Sequence, residues 1–353
     1  MTLQTKPHSP AADARRPVLL TGGTGFLGEH VVRALRQTGQ SVRVLCRNPA
    51  PELSALGASI YQGDLMAGDR MAGDEKPDTS GERAAAPHVD PSDPGAPVTI
   101  PDELVAALDG CQQVYHLAGL VSRDPKKGPA MMRVHVEGTR RLMHAAKAAG
   151  VRRVLLASTS GTIAISRQPE PIPDESWPYP VELCGDFPYY LSKIYQEKLA
   201  LDLGPKLGLE IVCVNPSLLL GPGDRRGSST EDVRKFLCGE IQAIPSGGLS
   251  FVDVRDAAAA MVAAMDKGRP GARYLVGADG ANRAAAVVKH PQRAHLQAAG
   301  QFVEQSLGVI AAGAKQHACC LALVRQHLLG EDQLPTTIHG GRRRRRRASV
   351  LWL

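Results

Sequence analysis

Tyr189 and Lys193 stand four residues apart in the segment PYYLSKIYQEKLAL, and this spacing places both side chains on one face of a helix. A lysine ammonium beside a phenol stabilises the phenolate, so it can lower the phenol pKa from its ordinary value of about 10. Such a pair can move a proton to or from a substrate oxygen. The same spacing also occurs on ordinary amphipathic helices, where a phenol only packs on a lysine stem. A catalytic role therefore needs support from a binding site elsewhere in the chain.

A glycine-rich segment near the amino terminus provides that support. Residues 17–28 (PVLLTGGTGFLG) predict a buried strand, a tight turn and the start of a helix. The positions of Gly22, Gly25 and Gly28 suit a sharp turn, a close approach of the backbone to a pyrophosphate, and close packing of the helix on the strand. The N-terminus of the helix adds unpaired N–H groups that attract phosphate. A second strand over 41–47 completes a βαβ unit, and the pattern predicts a dinucleotide-binding site.

The residue at the end of this second strand bears on which dinucleotide binds. An acidic side chain about 20 residues after the glycines would bind the ribose hydroxyls of NAD, whereas an arginine accommodates the extra phosphate of NADP. The chain has Arg47 at this position, and the next acidic residue after it is Glu52. The sequence therefore favours NADP, with NAD as the alternative and a solvated surface arginine as the non-binding interpretation.

Further strands and helices alternate along the chain and must position these groups. Strands are predicted over 58–65, 111–119 and 151–161, and a later one is stopped by Pro216. Alternation of this kind predicts an α/β fold, a Rossmann-type doubly wound parallel sheet with a smaller substrate lobe that is incomplete if the C-terminal segment does not contribute to it. Every candidate functional group falls at the carboxyl end of a strand or just after it, where ligands bind in such sheets.

Several ordered motifs resemble those of the extended short-chain dehydrogenase/reductases, also called the NAD-dependent epimerase/dehydratase family. The resemblance covers about residues 16–282, and the segments 158–163 and 174–177 are most similar to the dihydroflavonol 4-reductase-like branch. The motifs that carry it are Thr21–Gly28, Gly63–Leu65, His116–Gly119, Val136–Thr139, Tyr189 with Lys193, and Asn215–Ser217 with Gly221–Asp224.

The resemblance implies roles for three catalytic residues. Tyr189 would be the general acid/base that protonates a carbonyl oxygen during reduction or removes the alcohol proton in the reverse direction. Lys193 would hold the nicotinamide ribose and lower the pKa of Tyr189. Thr159 would hydrogen-bond the substrate oxygen, although Ser158 and Ser160 flank it and are alternatives.

The resemblance also implies a set of cofactor-binding residues. Asp64 would accept a hydrogen bond from the adenine amino group, and small residues after the fourth strand would let the cofactor pass close to the backbone. No metal ligand is expected. The full cofactor set is Gly22, Gly25, Phe26, Leu27, Gly28, Arg47, Asp64, Leu65, Ala118, Gly119, Lys193, Pro216 and Ser217.

Two positions depart from the family pattern. His135 stands where the family commonly has an asparagine that orders water and backbone near the catalytic lysine, and it is interpreted as a structural helix histidine. Asp253 replaces a frequent histidine, and no chemistry is assigned to that change.

Composition separates a catalytic body from additional segments. The domains expected are a flexible N-terminus (1–15), a nicotinamide-dinucleotide domain (16–282) with substrate segments at 162–188 and 217–250, a disordered insertion at 66–100, and a basic segment at 283–353. The insertion is rich in Asp, Pro, Gly and Ala and has almost no large apolar residue. A surface insertion is favoured there over a substrate lid.

The segment 283–353 carries eleven basic and three acidic residues, so it accounts for the net charge of +7 on the whole chain. Because the family resemblance stops near residue 280, we interpret this segment first as a misassembled reading frame. A divergent helical extension is the second interpretation. A nucleic-acid-binding tail is the last, because the arginine run lacks interleaved aromatic residues.

Composition also limits the location and partners of the protein. The seven cysteines show no disulfide framework or metal-ligand spacing, which favours a reducing compartment. Neither a signal peptide nor a membrane span is indicated, so a cytoplasmic location is expected. No nucleic acid partner is expected, and the resemblance allows a homodimer.

Three functions are compatible with these observations. The leading one is an NADP-dependent oxidoreductase that reduces a ketone or aldehyde of a small organic substrate. The second is a sugar-nucleotide epimerase or dehydratase that retains NAD, against which Arg47 argues. The third is a protein that binds the cofactor without turnover. The substrate itself is not readable, because loops after the strands set specificity.

Overall fold

Seven parallel strands form the central sheet of the protein, whose structure is a computed structural model. Each strand pairs with its neighbours in parallel register, for example Val18 with Val42 on one side and with Gln113 on the other. The residues that the structure describes are 16–68, 90–167, 173–238, 240, 247–248, 250–277 and 286–288.

The order of the strands in the sheet is β11-β7-β5-β4-β1-β2-β3. The chain therefore runs outward from β1 to β3 and then returns to the centre at β4. This reversal between β1 and β4 opens a crevice at the carboxyl ends of the two strands. The predicted doubly wound fold is confirmed. The strands of this sheet are β1 (Val18–Thr21), β2 (Val42–Cys46), β3 (Ser59–Gln62), β4 (Gln113–His116), β5 (Arg153–Ala157), β7 (Glu210–Pro216) and β11 (Arg273–Val276).

Helices cover both faces of the sheet, and each face has its own apolar core. Along β1, Leu19 packs into one core while Val18 and Leu20 pack into the other, because successive side chains of a strand point to opposite faces. The helices α1 and α8 cover one face, and α3, α5 and α6 cover the other. The helices are α1 (Phe26–Gln37), α2 (Pro51–Ala55), α3 (Asp102–Leu108), α4 (Gly128–Met132), α5 (Gly138–Ala148), α6 (Pro188–Lys206), α7 (Glu231–Leu237) and α8 (Val254–Lys267).

Three strands end earlier than the sequence predicted. The predicted strand 58–65 stops at Gln62, the strand 111–119 stops at His116, and the strand 151–161 stops at Ala157. The first residue after each strand still donates one backbone hydrogen bond to the neighbouring strand: Gly63 to Cys46, Leu117 to Thr21 and Ser158 to Val214. The prediction that Pro216 stops its strand is confirmed, since β7 ends there.

Smaller elements lie beside the main sheet. β8 and β10 form a parallel pair, and β6, β12 and β9 form a second small sheet. A π-helical turn at Arg133–Glu137 joins α4 to α5. The bounds of the small strands are β6 (Ile165–Ser166), β8 (Leu218–Leu220), β9 (Gly247–Gly248), β10 (Phe251–Asp253) and β12 (Ala286–Val288).

The two ends of the expected 66–100 insertion pack against the domain. Ala96 is buried, and the Arg141 guanidinium donates a hydrogen bond of 3.0 Å to the Ala67 carbonyl oxygen. The middle of the insertion (69–89), the expected flexible N-terminus (1–15) and the expected basic segment 283–353, apart from 286–288, lie outside the described residues.

Candidate active site at the carboxyl ends of the strands

Helix α6 presents three polar side chains in one row beneath the carboxyl end of β5. Tyr189, Lys193 and Glu197 follow one another at intervals of four residues, so they share a face of the helix. Lys193 and Glu197 are buried, while Tyr189 at the start of the helix is partly exposed. Pro188 occupies the first turn, where its missing N–H costs no hydrogen bond. The structure thus places Lys193 beneath the carboxyl end of β5 and Tyr189 at the partly exposed start of the helix.

The Lys193 ammonium is held by backbone and side-chain oxygens. Its Nζ donates a hydrogen bond of 2.7 Å to the Ala157 carbonyl oxygen and a second one to Gln196 Oε1. Burial lowers the pKa of Lys193 to about 8, and the nearby Glu197 carboxylate opposes that shift. The ammonium is therefore positioned by the last residue of β5, next to the turn that carries Thr159.

The Tyr189 phenol differs from the expectation drawn from the sequence. Burial, and then the neighbouring Tyr190, raises the pKa of Tyr189 above its ordinary value of 10. The expected lowering by Lys193 is not found, because desolvation of the phenolate dominates and the Lys193 ammonium is bonded to other oxygens. Among the described residues, none accepts or donates a hydrogen bond at the Tyr189 hydroxyl. The phenol is held protonated, which suits a proton donor.

Thr159 lies where β5 turns into the short 3-10 helix Ser160–Thr162. Its backbone is extended, and its Oγ1 accepts a hydrogen bond of 3.3 Å from the Gly161 N–H. The hydroxyl of the preceding Ser158 is buried and donates to the Glu197 carboxylate instead. Thr159 is partly exposed at the crevice, whereas Ser158 is buried.

His135 bridges the crevice loop and the catalytic helix from the π-helical turn. Its Nε2 accepts a hydrogen bond of 3.0 Å from the Leu120 N–H, so the ring proton must lie on Nδ1. That Nδ1–H donates to Ser192 Oγ at 2.8 Å, and the Ser192 hydroxyl donates in turn to the Tyr189 carbonyl oxygen at 2.7 Å. Burial and the charge of Lys193 lower the pKa of His135, so the ring stays neutral. The predicted structural histidine thus orders the backbone that carries Tyr189.

A second buried histidine connects the lysine to the glycine turn. His116 Nδ1 lies 2.8 Å from Thr21 Oγ1, and its Nε2 lies 2.9 Å from Thr139 Oγ1. The Gln196 amide donates to the same Thr139 hydroxyl at 2.8 Å, while its oxygen accepts from Lys193. Burial lowers the pKa of His116 to about 3. One hydrogen-bonded network that passes through the neutral His116 therefore joins the Lys193 ammonium to the end of β1.

The glycine turn has the shape that a phosphate group requires. Gly22 has φ +77°, and a Cβ there would come within 2.5 Å of the Leu117 backbone. A Cβ on Gly28 would lie 2.2 Å from the Gly22 carbonyl oxygen, so α1 packs directly on the turn. Gly25 is the N-cap of α1 and provides no side chain to bond the first-turn N–H groups. The turn and the helix N-terminus together fit a pyrophosphate.

The remaining predicted cofactor residues surround this crevice. Arg47 is exposed just after β2, and Asp64 after β3 accepts a hydrogen bond of 3.0 Å from the Met66 N–H. A Cβ on Gly119 would lie 2.9 Å from His135 Nε2, which explains the small residue there. Ser217 donates its hydroxyl to the Val276 carbonyl oxygen at 3.1 Å. The other predicted positions in this region are Phe26 and Leu27 in the first turn of α1, Leu65 after β3, Ala118 after β4 and Pro216 at the end of β7.

Comparison with known proteins identifies the family. The family described as NAD dependent epimerase/dehydratase matches residues 18–277. The chain belongs to the NAD dependent epimerase/dehydratase family. Cinnamoyl-CoA reductase 1 of Oryza sativa subsp. japonica is 33% identical over 264 residues, which are 73% of this chain and 70% of that protein. The putative dihydroflavonol 4-reductase of Synechocystis is 32% identical over 266 residues, which are 73% of this chain and 66% of that protein.

A solved structure supports the same fold. Vestitone reductase from alfalfa (Medicago sativa) superposes with a TM-score of 0.58 at 21% identity, over 83% of this chain and 83% of that one. The resemblance to the epimerase/dehydratase family and to its dihydroflavonol 4-reductase-like branch is confirmed. The expectation of an oxidoreductase that uses a nicotinamide dinucleotide and acts on CH–OH and C=O groups is confirmed at the level of this family. Among the described residues, no helix has both the length and the apolar character needed to cross a membrane.

Two residues of the site were missed by the sequence analysis. Glu197 continues the four-residue row that begins with Tyr189 and Lys193, so that spacing was the signal that could have found it. Arg273 carries no such signal, because it lies far from Glu197 and Trp177 in the sequence. The pairing of β11 with β7 brings them together.

Proposed function

We propose that the protein reduces a ketone or aldehyde of a small organic molecule, with NADPH as the reductant. The observation that carries this proposal is the convergence of three groups at the carboxyl end of β5. The protonated phenol of Tyr189, the hydroxyl of Thr159 and the buried ammonium of Lys193 belong to adjacent elements, and Lys193 bonds the residue two positions before Thr159. The similarity to reductases supports the same class of reaction.

Each side chain has a distinct role in this reaction. Tyr189 donates its phenolic proton to the carbonyl oxygen as that oxygen gains negative charge. Thr159 donates a hydrogen bond to the same oxygen and orients the carbonyl. Lys193, whose ammonium is fixed by Ala157 and Gln196, would hold the hydroxyls of the nicotinamide ribose beside Tyr189. A nicotinamide cofactor bound in this crevice would supply the hydride that the carbonyl carbon accepts.

The residue at the end of β2 favours NADPH over NADH. Arg47 is exposed there, where a guanidinium can pair with the 2′-phosphate of NADP in a bidentate manner. The glycine turn and the N-terminus of α1 would hold the pyrophosphate. Asp64 and Leu65 would border the adenine, while Ala118, Gly119, Pro216 and Ser217 would border the remainder of the dinucleotide.

A line of aromatic rings that begins at Tyr189 favours one class of substrate. Tyr189 and Tyr190 have ring centroids 5.4 Å apart, and Tyr190 and Phe187 have centroids 6.2 Å apart. Phe187 and Val121 are exposed large apolar side chains. Since such surfaces bind flat apolar groups, a substrate that carries its carbonyl on or near a ring is favoured.

The decisive experiment is Tyr189→Phe, which removes the proton donor and keeps the ring. With NADPH and a panel of ring-bearing ketones and aldehydes, we expect turnover to fall by about 10³-fold, within the usual range for a lost general acid. The dissociation constant for NADPH should change less than about twofold. Tyr195→Phe is the matched control, because Tyr195 lies on the same helix but is 41% exposed, and its activity should equal that of the wild type.

An unchanged turnover rate in Tyr189→Phe contradicts the mechanism. NAD that remains bound through purification, together with no net reduction, favours the alternative of an epimerase or dehydratase that recycles its cofactor internally. NADPH binding without reduction of any member of the panel favours a cofactor-binding protein that is not an enzyme.

A further inference from the structure

The deepest charged group of the site is the carboxylate of Glu197, which is 0% exposed. Its Oε2 accepts hydrogen bonds from the Ser158 hydroxyl and from the Asn215 amide, the latter at 2.8 Å, and it lies 3.0 Å from the Thr162 hydroxyl. One oxygen atom therefore contacts residues on both sides of Thr159. A carboxylate with this many partners fixes their relative positions, because each would otherwise be buried unpaired.

The backbone of Thr159 is fixed by the same cluster. The Thr159 carbonyl oxygen lies 2.9 Å from the Thr162 hydroxyl and 3.3 Å from the Asn215 amide nitrogen. Both of these groups also contact Glu197. Because the carbonyl and both flanking positions are held, the direction of the Thr159 side chain toward the crevice depends on the Glu197 carboxylate.

Arg273 extends this cluster to β11, the strand beside β7. Its Nη1 lies 3.6 Å from Glu197 Oε1, and its side chain is only 13% exposed. Its Nη2 donates a hydrogen bond of 2.7 Å to the Trp177 carbonyl oxygen and another to that of Glu175. The guanidinium carbon lies 4.9 Å from the centroid of the Tyr179 ring. Arg273 therefore holds the backbone of residues 175–179, part of the expected substrate segment.

We infer that Glu197 is a positioning residue that couples the Thr159 turn to the substrate segment through Arg273. The inference rests on the proposed function, because the coupled elements are the hydroxyl that orients the carbonyl and the segment that borders the substrate. Glu197 touches neither the substrate nor the cofactor in this proposal. Its effect is to make the geometry at Thr159 and the position of residues 175–179 depend on one buried charge.

Hydrogen exchange of the NADPH-bound full-length protein tests this coupling without requiring turnover. Glu197→Gln keeps the shape of the side chain and removes the charge that attracts Arg273. We expect amide exchange to accelerate about tenfold in both 158–162 and 173–179, while the rest of the sheet exchanges as in the wild type. Arg273→Lys, which keeps the charge but loses the planar fork, should accelerate exchange in 173–179 only.

Steady-state kinetics supply the second measurement, with a substrate that the wild type reduces. Glu197→Gln should lower kcat about tenfold and raise the substrate KM about fivefold, with NADPH affinity within about twofold of the wild type. Arg273→Lys should raise KM by a similar factor and leave kcat within about twofold. Glu210→Gln is the matched control, because it alters another arginine–glutamate pair far from the crevice and should affect neither segment nor either constant.

The inference is overturned if Glu197→Gln matches the wild type in both segments, or if its exchange rises evenly over the whole domain. Should Glu197→Gln fail to fold, Arg273→Lys decides: unchanged exchange in 173–179 overturns the inference. The proposed function fails separately, since a protein that reduces no carbonyl can still show the two-segment exchange pattern. Conversely, if Tyr189→Phe loses turnover while Glu197→Gln matches the wild type, the proposed function stands and only the coupling is rejected.

Discussion

Two arginine–glutamate pairs tie β5, β7 and their neighbours together, one at each end of the strands. At the amino ends, Arg153 and Glu210 are in register on β5 and β7, and Arg153 Nη2 lies 2.6 Å from Glu210 Oε2. The same guanidinium donates to the Met265 carbonyl oxygen at 2.7 Å and to that of Gly268 at 3.2 Å. At the carboxyl ends, Arg273 and Glu197 approach only to 3.6 Å.

The polar atoms of the two pairs are satisfied to different degrees. Three buried atoms of the carboxyl-end cluster, Glu197 Oε1, Asn215 Oδ1 and Arg273 Nη1, have no hydrogen-bond partner among the described residues. Neither Arg153 nor Glu210 has such an atom. Unpaired buried polar atoms cost stability, and they are concentrated where a protein binds or reacts. The unpaired atoms therefore lie in the cluster beside Thr159, where we propose that the reaction takes place.

The largest effect on activity is expected at Lys193. Lys193→Met removes the buried ammonium and keeps the length of the side chain. We expect kcat/KM for carbonyl reduction to fall by about 10²-fold, because the ammonium that would position the nicotinamide ribose beside Tyr189 is lost. A variant that keeps more than half of the wild-type activity would break the assignment of the carboxyl ends to catalysis.

The same lysine should give the wild-type protein opposite pH trends in activity and stability. Burial lowers the pKa of Lys193 from its ordinary 10.5 to about 8, so activity should decline as pH rises through about 8 and the ammonium is lost. The unfolded chain binds more protons than the folded one between these two values, so the contribution of Lys193 to the free energy of unfolding rises with pH there. Denaturant titrations at several pH values should show this slope in the wild type and not in Lys193→Met.

An intermediate effect is expected at Arg47, which is exposed at the carboxyl end of β2. Arg47→Ser should weaken NADPH binding about tenfold, because the loss of one phosphate contact of this kind costs about 1.4 kcal/mol. NADH binding should change less than about twofold. Calorimetric or fluorescence titrations with both dinucleotides measure the ratio, and equal losses for both would contradict a role in reading the 2′-phosphate.

The smallest effect on activity is expected at the amino ends. Glu210→Gln weakens the hydrogen bonds to Arg153 and leaves the crevice untouched, so kcat and KM should stay at the wild-type values. The free energy of unfolding should fall by about 1.5 kcal/mol, the lower end of the usual worth of a hydrogen bond to a charged group, because the Glu210 side chain is partly exposed. Denaturant titration beside the kinetic assay checks both halves of this prediction. A loss of activity greater than the loss of folded protein would contradict a purely stabilising role for the pair of Arg153 and Glu210.

The sequence by itself determined the class of fold and most of the positions around the crevice. The apolar runs, the glycine turn and the alternation of strands and helices are local features, and together they predict a doubly wound sheet. The i, i+4 spacing of Tyr189 and Lys193 likewise places two side chains on one face without knowledge of the rest of the chain.

Only the tertiary structure decided what these side chains contact. The phenol of Tyr189 stays protonated because burial outweighs the nearby charge, and burial depends on packing from distant segments. Glu197 meets Asn215 and Arg273 because strands far apart in the chain become neighbours in the sheet. Spacing along one helix is fixed by its own geometry, whereas partners, desolvation and pKa values arise only when separate elements pack together.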